Sequence, residues 1–452
     1  MLFILFSVTT ILVFANYLLG KNDYLYPPFI FCLVFFFSEF ACILGIKSFD
    51  VSISPITLFV VLAGELIFTI IGAFTSHSIH SDKSNESFKI NHIEIKWGYI
   101  LIIIIMQLLS IVFFTKYLTA IGIAYGSRYG PVPTTLSQKI KVFDNMTKFW
   151  PEINDALTSI VQMPMIYRIT NPLCNSAEYL IVYTMVNNYI YDKHINKSYI
   201  VIVILMIIRI ILNGSRSPIF RLVTFILAVY YILQYKCGRI KKGSIKFLFR
   251  VIFGTLILGA IMILLMFILG RTSDKVNVAD QLFIYLGAPL QNLDTVINES
   301  NFKLIGSNVK EVFGLQTFLT IEKYIVKIFH LPDLRYNNLL VFVYSHNGIE
   351  IGNVYTMYYP LLYDFGYIGC IPFIIIIASY YAINYRKLIL RKQKNSVVNM
   401  KLFIYAYLFN DLIMLMFSNR FYDTTFNIVF IELVAFAYIF SSQLLRINIK
   451  ID

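Results

Sequence analysis

The sequence predicts an all-α polytopic integral membrane protein, built as a single membrane domain over residues 1–452. Of the 452 residues, 58% are hydrophobic and only 14% are charged, and the mean hydropathy is +0.71, which excludes a soluble multidomain protein. Apolar runs long enough to cross a bilayer recur along the whole chain. Strands of an outer-membrane barrel would be about ten residues long with alternating polarity, so these runs favour helices.

The apolar runs predict about eleven transmembrane helices, within a range of about 10–12. They lie at about 2–19, 25–46, 53–74, 98–122, 170–190, 198–213, 215–235, 247–270, 357–385, 399–419 and 424–444. The first run lacks a preceding basic region and leads directly into another apolar run, so we expect it to remain as the first helix. The five cysteines are scattered and form no CxxC or His/Cys cluster, which argues against a metal or redox site.

Basic residues predict how the chain is oriented. The links 236–250 and 386–401 carry basic but no acidic residues, so the positive-inside rule places both in the cytoplasm. The large segment 271–356 and the loop 123–169 then lie outside. These links supply much of the net charge of +13, so membrane lipid headgroups, and not nucleic acid, are the expected partners. A large external loop over a membrane bundle favours an enzyme acting on a lipid-linked substrate at the outer leaflet.

The first polar constellation surrounds the turn NGSRSP at 213–218, which interrupts the helical pattern at its external end. Arg216 lies in this turn, before the next helix begins, where a guanidinium and free backbone N–H groups would suit a pyrophosphate. An anchor to lipid headgroups is the alternative for Arg216. For Arg209 and Arg221 the alternative is a buried structural ion pair, with Glu178 as one candidate counter-ion.

The second constellation is the short external link MFSNRFYDTTF at 416–426. Arg420, flanked by Asn419 and Asp423, is expected at the same membrane face as Arg216. Two arginines that converge at one leaflet would hold a diphosphate better than either alone. The alternative is an ordinary interfacial anchor beside the aromatic residues that follow.

The third constellation is NVYTMYYPLLYDFGYIG at 353–369. Asn353, Tyr355 and Tyr363 have the aromatic faces and amides that a sugar site needs, although tyrosine belts at membrane interfaces are equally aromatic. Asp364 requires a reason, because a carboxylate at membrane depth is unfavourable unless it faces water, a partner or a substrate. It would either act on substrate or have a structural role, bonding an arginine or capping a kink.

The segment QLFIYLGAPLQNLD at 281–294 predicts a short amphipathic helix on the membrane surface, with a break at Gly–Ala–Pro. Its polar members Tyr285, Asn292 and Asp294 would line a glycan groove or close the bundle. No nucleotide motif, neither GxxxxGK[ST] nor GxGxxG after a strand, is present, so we expect no cofactor and a sugar donor that arrives already activated.

Several stretches together resemble the oligosaccharide repeat unit polymerases, the Wzy-type O-antigen polymerases of bacterial inner membranes. They are NDYLYPPFIFCLVFFFSE, SPITLFVVLAGELIFTIIGAF, NGSRSPIFRL, YLGAPLQNLD and NVYTMYYPLLYDFGYIG. The resemblance implies a GT-C-like fold with its active site facing the periplasm. It also implies a metal-independent glycosyltransferase that moves a glycan from undecaprenyl pyrophosphate to another lipid-linked repeat unit, with a chain-length regulator as partner.

Carried onto this sequence, the resemblance implies that Arg216 and Arg420 clamp the donor pyrophosphate, with Ser215 and Arg209 beside them. The general base would be Asp364 or His346. A histidine in the large external loop of the related O-antigen ligases favours His346. The glycan would contact the polar residues named above: Asn353, Tyr355, Tyr363, Tyr285, Asn292 and Asp294.

Three alternatives stay open. An O-antigen ligase would share the donor and differ in its acceptor, the lipid A core. A lipid-linked oligosaccharide flippase would also be polytopic, although two comparable halves and small loops would be expected of it. A proton-coupled transporter rests only on acids within apolar helices, namely Glu39, Glu65, Asp411 and Glu432.

Overall fold

The computed structural model describes residues 1–78, 90–239, 243, 280, 283–299, 314, 316–330, 341–345, 347–390 and 397–448. Helices dominate these residues, and six of them are long and apolar enough to cross a membrane. These are Leu2–Leu19, Pro27–Phe49, Pro55–Ser76, Trp97–Gly126, Ser217–Lys236 and Ile371–Leu390. The all-α, membrane-embedded architecture is therefore confirmed at this level. The predicted span 247–270 lies outside the described residues, as does most of the link 236–250.

The described residues form a series of helices and four short strands. The helices are α1 (Leu2–Leu19), α2 (Pro27–Phe49), α3 (Pro55–Ser78), α4 (Trp97–Gly126), α5 (Leu136–Lys148), α6 (Pro151–Ile160), α7 (Met165–Asp192), α8 (Lys197–Leu212), α9 (Ser217–Lys236), a π-helix (Phe283–Gly287), α10 (Ala288–Glu299), α11 (Leu319–Phe329), α12 (Tyr358–Gly369), α13 (Ile371–Leu390), α14 (Met400–Ile413), a 3₁₀-helix (Met414–Met416), α15 (Arg420–Thr425) and α16 (Ile428–Gln443). The strands β1 (His92–Ile95), β2 (Val343–Tyr344), β3 (Glu350–Gly352) and β4 (Leu445–Asn448) form the antiparallel pairs β1–β4 and β2–β3.

Local sequence explains where several helices begin. Pro27 and Pro55 each open a helix, where the missing N–H of proline has no intrahelical acceptor to lose. Asn196 and Asn427 cap α8 and α16, since their side-chain oxygens accept hydrogen bonds from backbone N–H groups at 3.0 and 2.9 Å. Large apolar side chains such as Phe14, 66% exposed, cover the outside of α1, as expected of a surface that faces lipid.

The helix ends that precede the two basic links lie together at one end of the bundle. Asp23, between α1 and α2, accepts hydrogen bonds at 2.8 Å from the hydroxyls of Tyr231 near the end of α9 and Tyr385 near the end of α13. The links 236–250 and 386–401 follow these two helix ends. The positive-inside rule therefore predicts that this is the cytoplasmic end of the bundle.

The opposite end is closed by the π-helix and α10, which pack on α2 and α3. The hydroxyl of Ser38 donates to the backbone oxygen of Leu286 at 2.7 Å, and Cys42 donates to the oxygen of Gly287 at 3.2 Å. Of the two roles predicted for this segment, closing the bundle is the one that its described residues have. The helix type changes after Gly287, within the predicted break, and the segment is mostly buried instead of lying on the membrane surface, although Tyr285 is 38% exposed. Gly287 permits this packing, since a Cβ there would lie 2.9 Å from the backbone nitrogen of Cys42.

The predicted span 357–385 consists of two helices. Gly366 has φ 67° and ψ −174°, a conformation that side chains rarely adopt, and the chain bends there between the first turns of α12 and the start of α13. Asp364 therefore lies beside a kink and not within a continuous transmembrane helix.

Candidate functional site

Arg216 lies at the end opposite the basic links, in the turn between α8 and α9. It is the residue that precedes α9, and Pro218 stands in the first turn of that helix. Its Nη1 donates to the hydroxyl of Tyr285 at 3.3 Å, and its guanidinium lies 5.6 Å from the centre of that ring. The hydroxyls of Ser215 and Ser217 are 3.1 Å apart in the same turn. Tyr285 thus reaches the site from the exposed side of the π-helix and orients Arg216.

Arg420 is the first residue of α15. The segment before it is hydrogen-bonded to the segment before α12, so two of the predicted polar constellations are in contact. The backbone nitrogen of Thr356 donates to the oxygen of Phe417 at 3.1 Å, and the nitrogen of Met357 donates to the oxygen of Leu415 at 2.9 Å. These bonds fix the stretch before α12 against the stretch before α15. The polar segment from residue 353 onward and Arg420 therefore belong to one end of the bundle, as the sequence predicts.

A third cation joins the two arginines. Lys148, the last residue of α5, forms an i,i+4 ion pair with Asp144, and its side chain is 40% exposed. Partial burial, and then the charges of Arg216 and Arg420, lower the pKa of Lys148 to about 8. Arg216 and Arg420 both contribute to this shift, so the charge of each guanidinium group acts on the Lys148 ammonium group.

Close packing against the turn 213–216 places Lys148 there. Gly214 has φ +70°, and a Cβ on it would lie 2.9 Å from the Cβ of Asp144. Asp144 is buried beneath the turn and pairs with Lys148 one helical turn later. Thus the glycine of the arginine turn lets α5 approach, and α5 brings Lys148 to the arginines.

The other two arginines of this stretch are paired. Arg209 forms an ion pair with Glu178, and the two side chains are 6% and 3% exposed. Arg209 also donates to Ser110 at 3.2 Å and to Asn175 at 3.1 Å. The structure therefore places Arg209 in the buried ion pair that was its alternative role, with Glu178 as counter-ion and its donors already used.

Arg221 is held by a bidentate pair with Asp411. Nη2 and Nη1 of the arginine lie 2.8 and 3.1 Å from the two carboxylate oxygens. Arg221 also donates to the hydroxyl of Thr424 at 3.3 Å and lies 4.6 Å from the ring centre of Tyr407. Because Thr424 belongs to α15, this contact ties the helix of Arg420 to the helix that follows Arg216.

Asp364 is bound by backbone amides of the large external segment. Both of its oxygens accept from the backbone nitrogen of Gln316 at 3.1 Å, and Oδ2 also accepts from that of Thr317 at 2.6 Å. Burial raises the pKa of Asp364, and the hydrogen bonds from these two residues oppose that shift. The carboxylate thereby fixes the segment just before α11 to α12, a structural role that the sequence left open.

The remaining predicted glycan residues have mostly structural contacts. Nδ2 of Asn292 donates to the backbone oxygen of Val354 at 2.9 Å, and Asp294 accepts from the nitrogen of Ser54 at 2.8 Å. Tyr355 is 1% exposed and donates to the backbone oxygen of Val341. By contrast, Asn353 and Tyr363 are only half-buried.

His346 lies outside the described residues. Lys148 is the residue that sequence reasoning missed. Its signal was present in the predicted external loop 123–169 as a capping box, in which Thr135 and Gln138 satisfy each other's backbone groups at the start of α5. That motif predicts a helix in the loop, and the Asp144–Lys148 spacing then predicts an ion pair on one helix face.

No protein family, no curated protein and no solved structure matches this chain. The geometry of the site indicates its chemistry: two arginines and a titratable lysine whose charges interact, with a tyrosine in contact with Arg216 and a segment of polar residues bonded to the link before Arg420. Such a set of donors suits a diphosphate, whose oxygens accept forked hydrogen bonds from guanidinium groups.

Proposed function

We propose that this chain is an oligosaccharide repeat unit polymerase that works at the outer leaflet of the bacterial inner membrane. The donor is a glycan on undecaprenyl pyrophosphate, and the acceptor is the non-reducing end of another lipid-linked repeat unit. One observation carries the proposal: α5 packs against the turn of Arg216 through Asp144 and Gly214, and the charges of Arg216 and Arg420 both act on Lys148 at the end of α5. A chain-length regulator is the protein partner that the resemblance implies.

In this reaction an acceptor hydroxyl attacks the anomeric carbon of the donor. The new glycosidic C–O bond forms, the C–O bond to the diphosphate breaks, and the acceptor proton passes to a base. Negative charge grows on the departing diphosphate. Fixed cations beside it therefore stabilise the transition state more than the ground state, which is the condition for catalysis.

In this proposal Arg216 and Arg420 bind the diphosphate. Arg216 is oriented by Tyr285, and Arg420 is held at the start of α15, so both forks are available for phosphate oxygens. Arg209 is left out of the binding set because its guanidinium is engaged by Glu178. The base is Asp364 or His346, and a substitution of Asp364 decides its part.

Deletion and complementation in the host test the proposal. A polymerase deletion leaves lipopolysaccharide whose core bears a single repeat unit, and complementation with Arg216→Ala or Arg420→Ala reproduces that pattern at normal expression. Bare core with long chains still attached to the lipid carrier would identify a ligase instead. Bare core with repeat units held on the cytoplasmic side would identify a flippase. Either result would contradict the polymerase.

A further inference from the structure

The link before Arg420 contains two side chains whose buried polar atoms have no hydrogen-bond partner within the described part of the chain. Asn419 is 3% exposed, and neither atom of its amide has a hydrogen-bond partner within the described part of the chain. The same holds for the hydroxyl of Ser418. In the backbone of this link, the nitrogen of Ser418 donates to the oxygen of Met414 at 3.0 Å, and the oxygen of Ser418 accepts from the nitrogen of Arg420 at 2.8 Å. The Ser418 and Asn419 side chains have no such partners among the described residues.

Another buried amide of the bundle has hydrogen-bond partners for both its donor and its acceptor. Asn188 is 5% exposed, its Nδ2 donates to the backbone oxygen of Ile93 at 2.8 Å, and its Oδ1 accepts from the nitrogen of Ile93 at 2.9 Å. Leaving such groups unpaired is unfavourable, so a native protein keeps them where a ligand or a catalytic task uses them. Single buried polar atoms elsewhere in the described residues also lack partners, and Asn419 is the amide in which both the donor and the acceptor do.

The position of Asn419 suggests which ligand is involved. The residue precedes Arg420, one of the three cations, and follows Ser418, which forms a β-bridge with Thr356. It therefore lies between the cation cluster and the polar segment that starts at Asn353. In a lipid-linked donor, the sugar next to the diphosphate would occupy this place.

The hydrogen-bonding groups of the Asn419 amide indicate which part of the donor lipid it binds. Asn419 has both an unmet donor and an unmet acceptor. An ionised phosphate has only acceptors and would leave Oδ1 unpaired, whereas a sugar hydroxyl or acetamido group supplies a donor and an acceptor together. We propose that Asn419, with the Ser418 hydroxyl beside it, binds the sugar attached to the donor diphosphate. This inference rests on the proposed function and deepens it.

Binding of two lipids to the purified protein tests the inference. The probes are undecaprenyl diphosphate alone and the same lipid bearing one N-acetylglucosamine, each measured by thermal shift and titration in detergent. Wild-type protein should prefer the sugar-bearing lipid, and Asn419→Leu should lose about tenfold or more of that preference while it binds the bare lipid normally. The smaller Asn419→Ala should behave in the same way, which excludes crowding by leucine as the cause.

The outcomes separate the inference from the proposed function. If wild type does not prefer the sugar-bearing lipid, or if Asn419→Leu keeps the preference, the inference is overturned and the diphosphate site stands. If neither lipid binds to wild type, the diphosphate site itself fails, and the sugar site fails with it.

Stability without ligand gives a second readout. Because Asn419→Leu removes an unsatisfied amide, it should raise the Tm of the unliganded protein by a few degrees. The matched variant Asn188→Leu should lower the Tm, because it leaves the backbone groups of Ile93 unpaired. A Tm for Asn419→Leu that falls as it does for Asn188→Leu would show that the amide is already satisfied, and would overturn the inference.

Discussion

Arg209 and Arg221 differ sharply from Arg216, although the three lie within thirteen residues of sequence. The first two are ion-paired to Glu178 and Asp411, at side-chain exposures of 6% and 15%. No ion pair within the described residues includes Arg216 or its counterpart Arg420. A guanidinium inside the bundle requires a carboxylate, whereas one at the end of the bundle can remain available for an anionic ligand.

The paired and the unpaired arginines also depend on each other structurally. Arg221 follows Arg216 along α9 and donates to Thr424, which is in the same short helix as Arg420. A buried pair thus fixes two backbone segments, and those segments present the available arginines. We expect the buried pair to control folding and the half-buried arginines, which form no ion pair among the described residues, to control binding.

The largest effect is expected on breaking a buried pair. Arg221→Leu leaves the Asp411 carboxylate uncompensated and should lower the free energy of unfolding by about 3–5 kcal/mol. The measurement is thermal unfolding in detergent, read by the fraction that stays monodisperse. The double variant Arg221→Leu/Asp411→Leu should recover most of the loss, because it removes both charges. A double variant as unstable as the single one would contradict the interpretation.

Next in size is the effect of removing an available cation. Arg216→Ala and Arg420→Ala should each lower polymerisation about 10²–10³-fold, the usual cost of losing one transition-state donor. Their Tm values should stay close to wild type, since neither side chain is ion-paired within the described residues. Arg216→Lys should restore only part of the activity, because lysine keeps the charge and loses the fork. Loss of Tm in parallel with activity would make these arginines structural.

Lys148 should make diphosphate binding depend on pH. Its ammonium is charged below its pKa of about 8 and neutral above it, whereas the arginines stay charged. Affinity for undecaprenyl diphosphate should therefore be full at pH 7 and fall between pH 8 and 9. Lys148→Arg should give a flat profile over the same range. Lys141, exposed on the same helix, supplies the control: Lys141→Gln should leave the profile unchanged.

Substitution of Asp364 distinguishes a structural carboxylate from a catalytic one. Its oxygens accept backbone N–H groups of Gln316 and Thr317, so we group it with the structural charges. Asp364→Asn keeps one acceptor and should reduce activity less than about tenfold, with a small fall in Tm. A loss of about 10²–10⁴-fold at unchanged Tm, typical of a missing general base, would instead assign proton transfer to Asp364.

Tyr285 should show the smallest effect. It contacts Arg216 through its hydroxyl and its ring face, and an exposed cation–π contact contributes about 0.5–1 kcal/mol. Tyr285→Phe should therefore change the KM for the lipid-linked donor less than twofold, and Tyr285→Ala about two- to fivefold. Equal effects of Phe and Ala would show that the hydroxyl, not the ring, orients Arg216.

Apolar runs predicted an all-helical membrane protein, and six of the predicted runs overlap helices that are long and apolar enough to cross a membrane. The turn at 213–218 was also predicted, because both features depend on local sequence. The prediction of one continuous ninth span, 357–385, missed the kink at Gly366. A single glycine in a sequence does not indicate whether its φ is positive. Lys148 was missed for a different reason. Its approach to the arginines depends on the packing of Asp144 against Gly214, which is a contact between distant segments. The pairing of Arg209 with Glu178 was foreseen only as one alternative, because one sequence does not identify partners.

The most direct test compares lipid binding and stability in the same preparations. Wild type, Arg216→Ala, Arg420→Ala and Arg209→Ala would be purified in detergent and titrated with undecaprenyl diphosphate after their Tm is measured without lipid. We expect the first two variants to keep the wild-type Tm and lose about tenfold or more in affinity, and Arg209→Ala to lose Tm instead. Equal affinity in wild type and both external variants would contradict the diphosphate site.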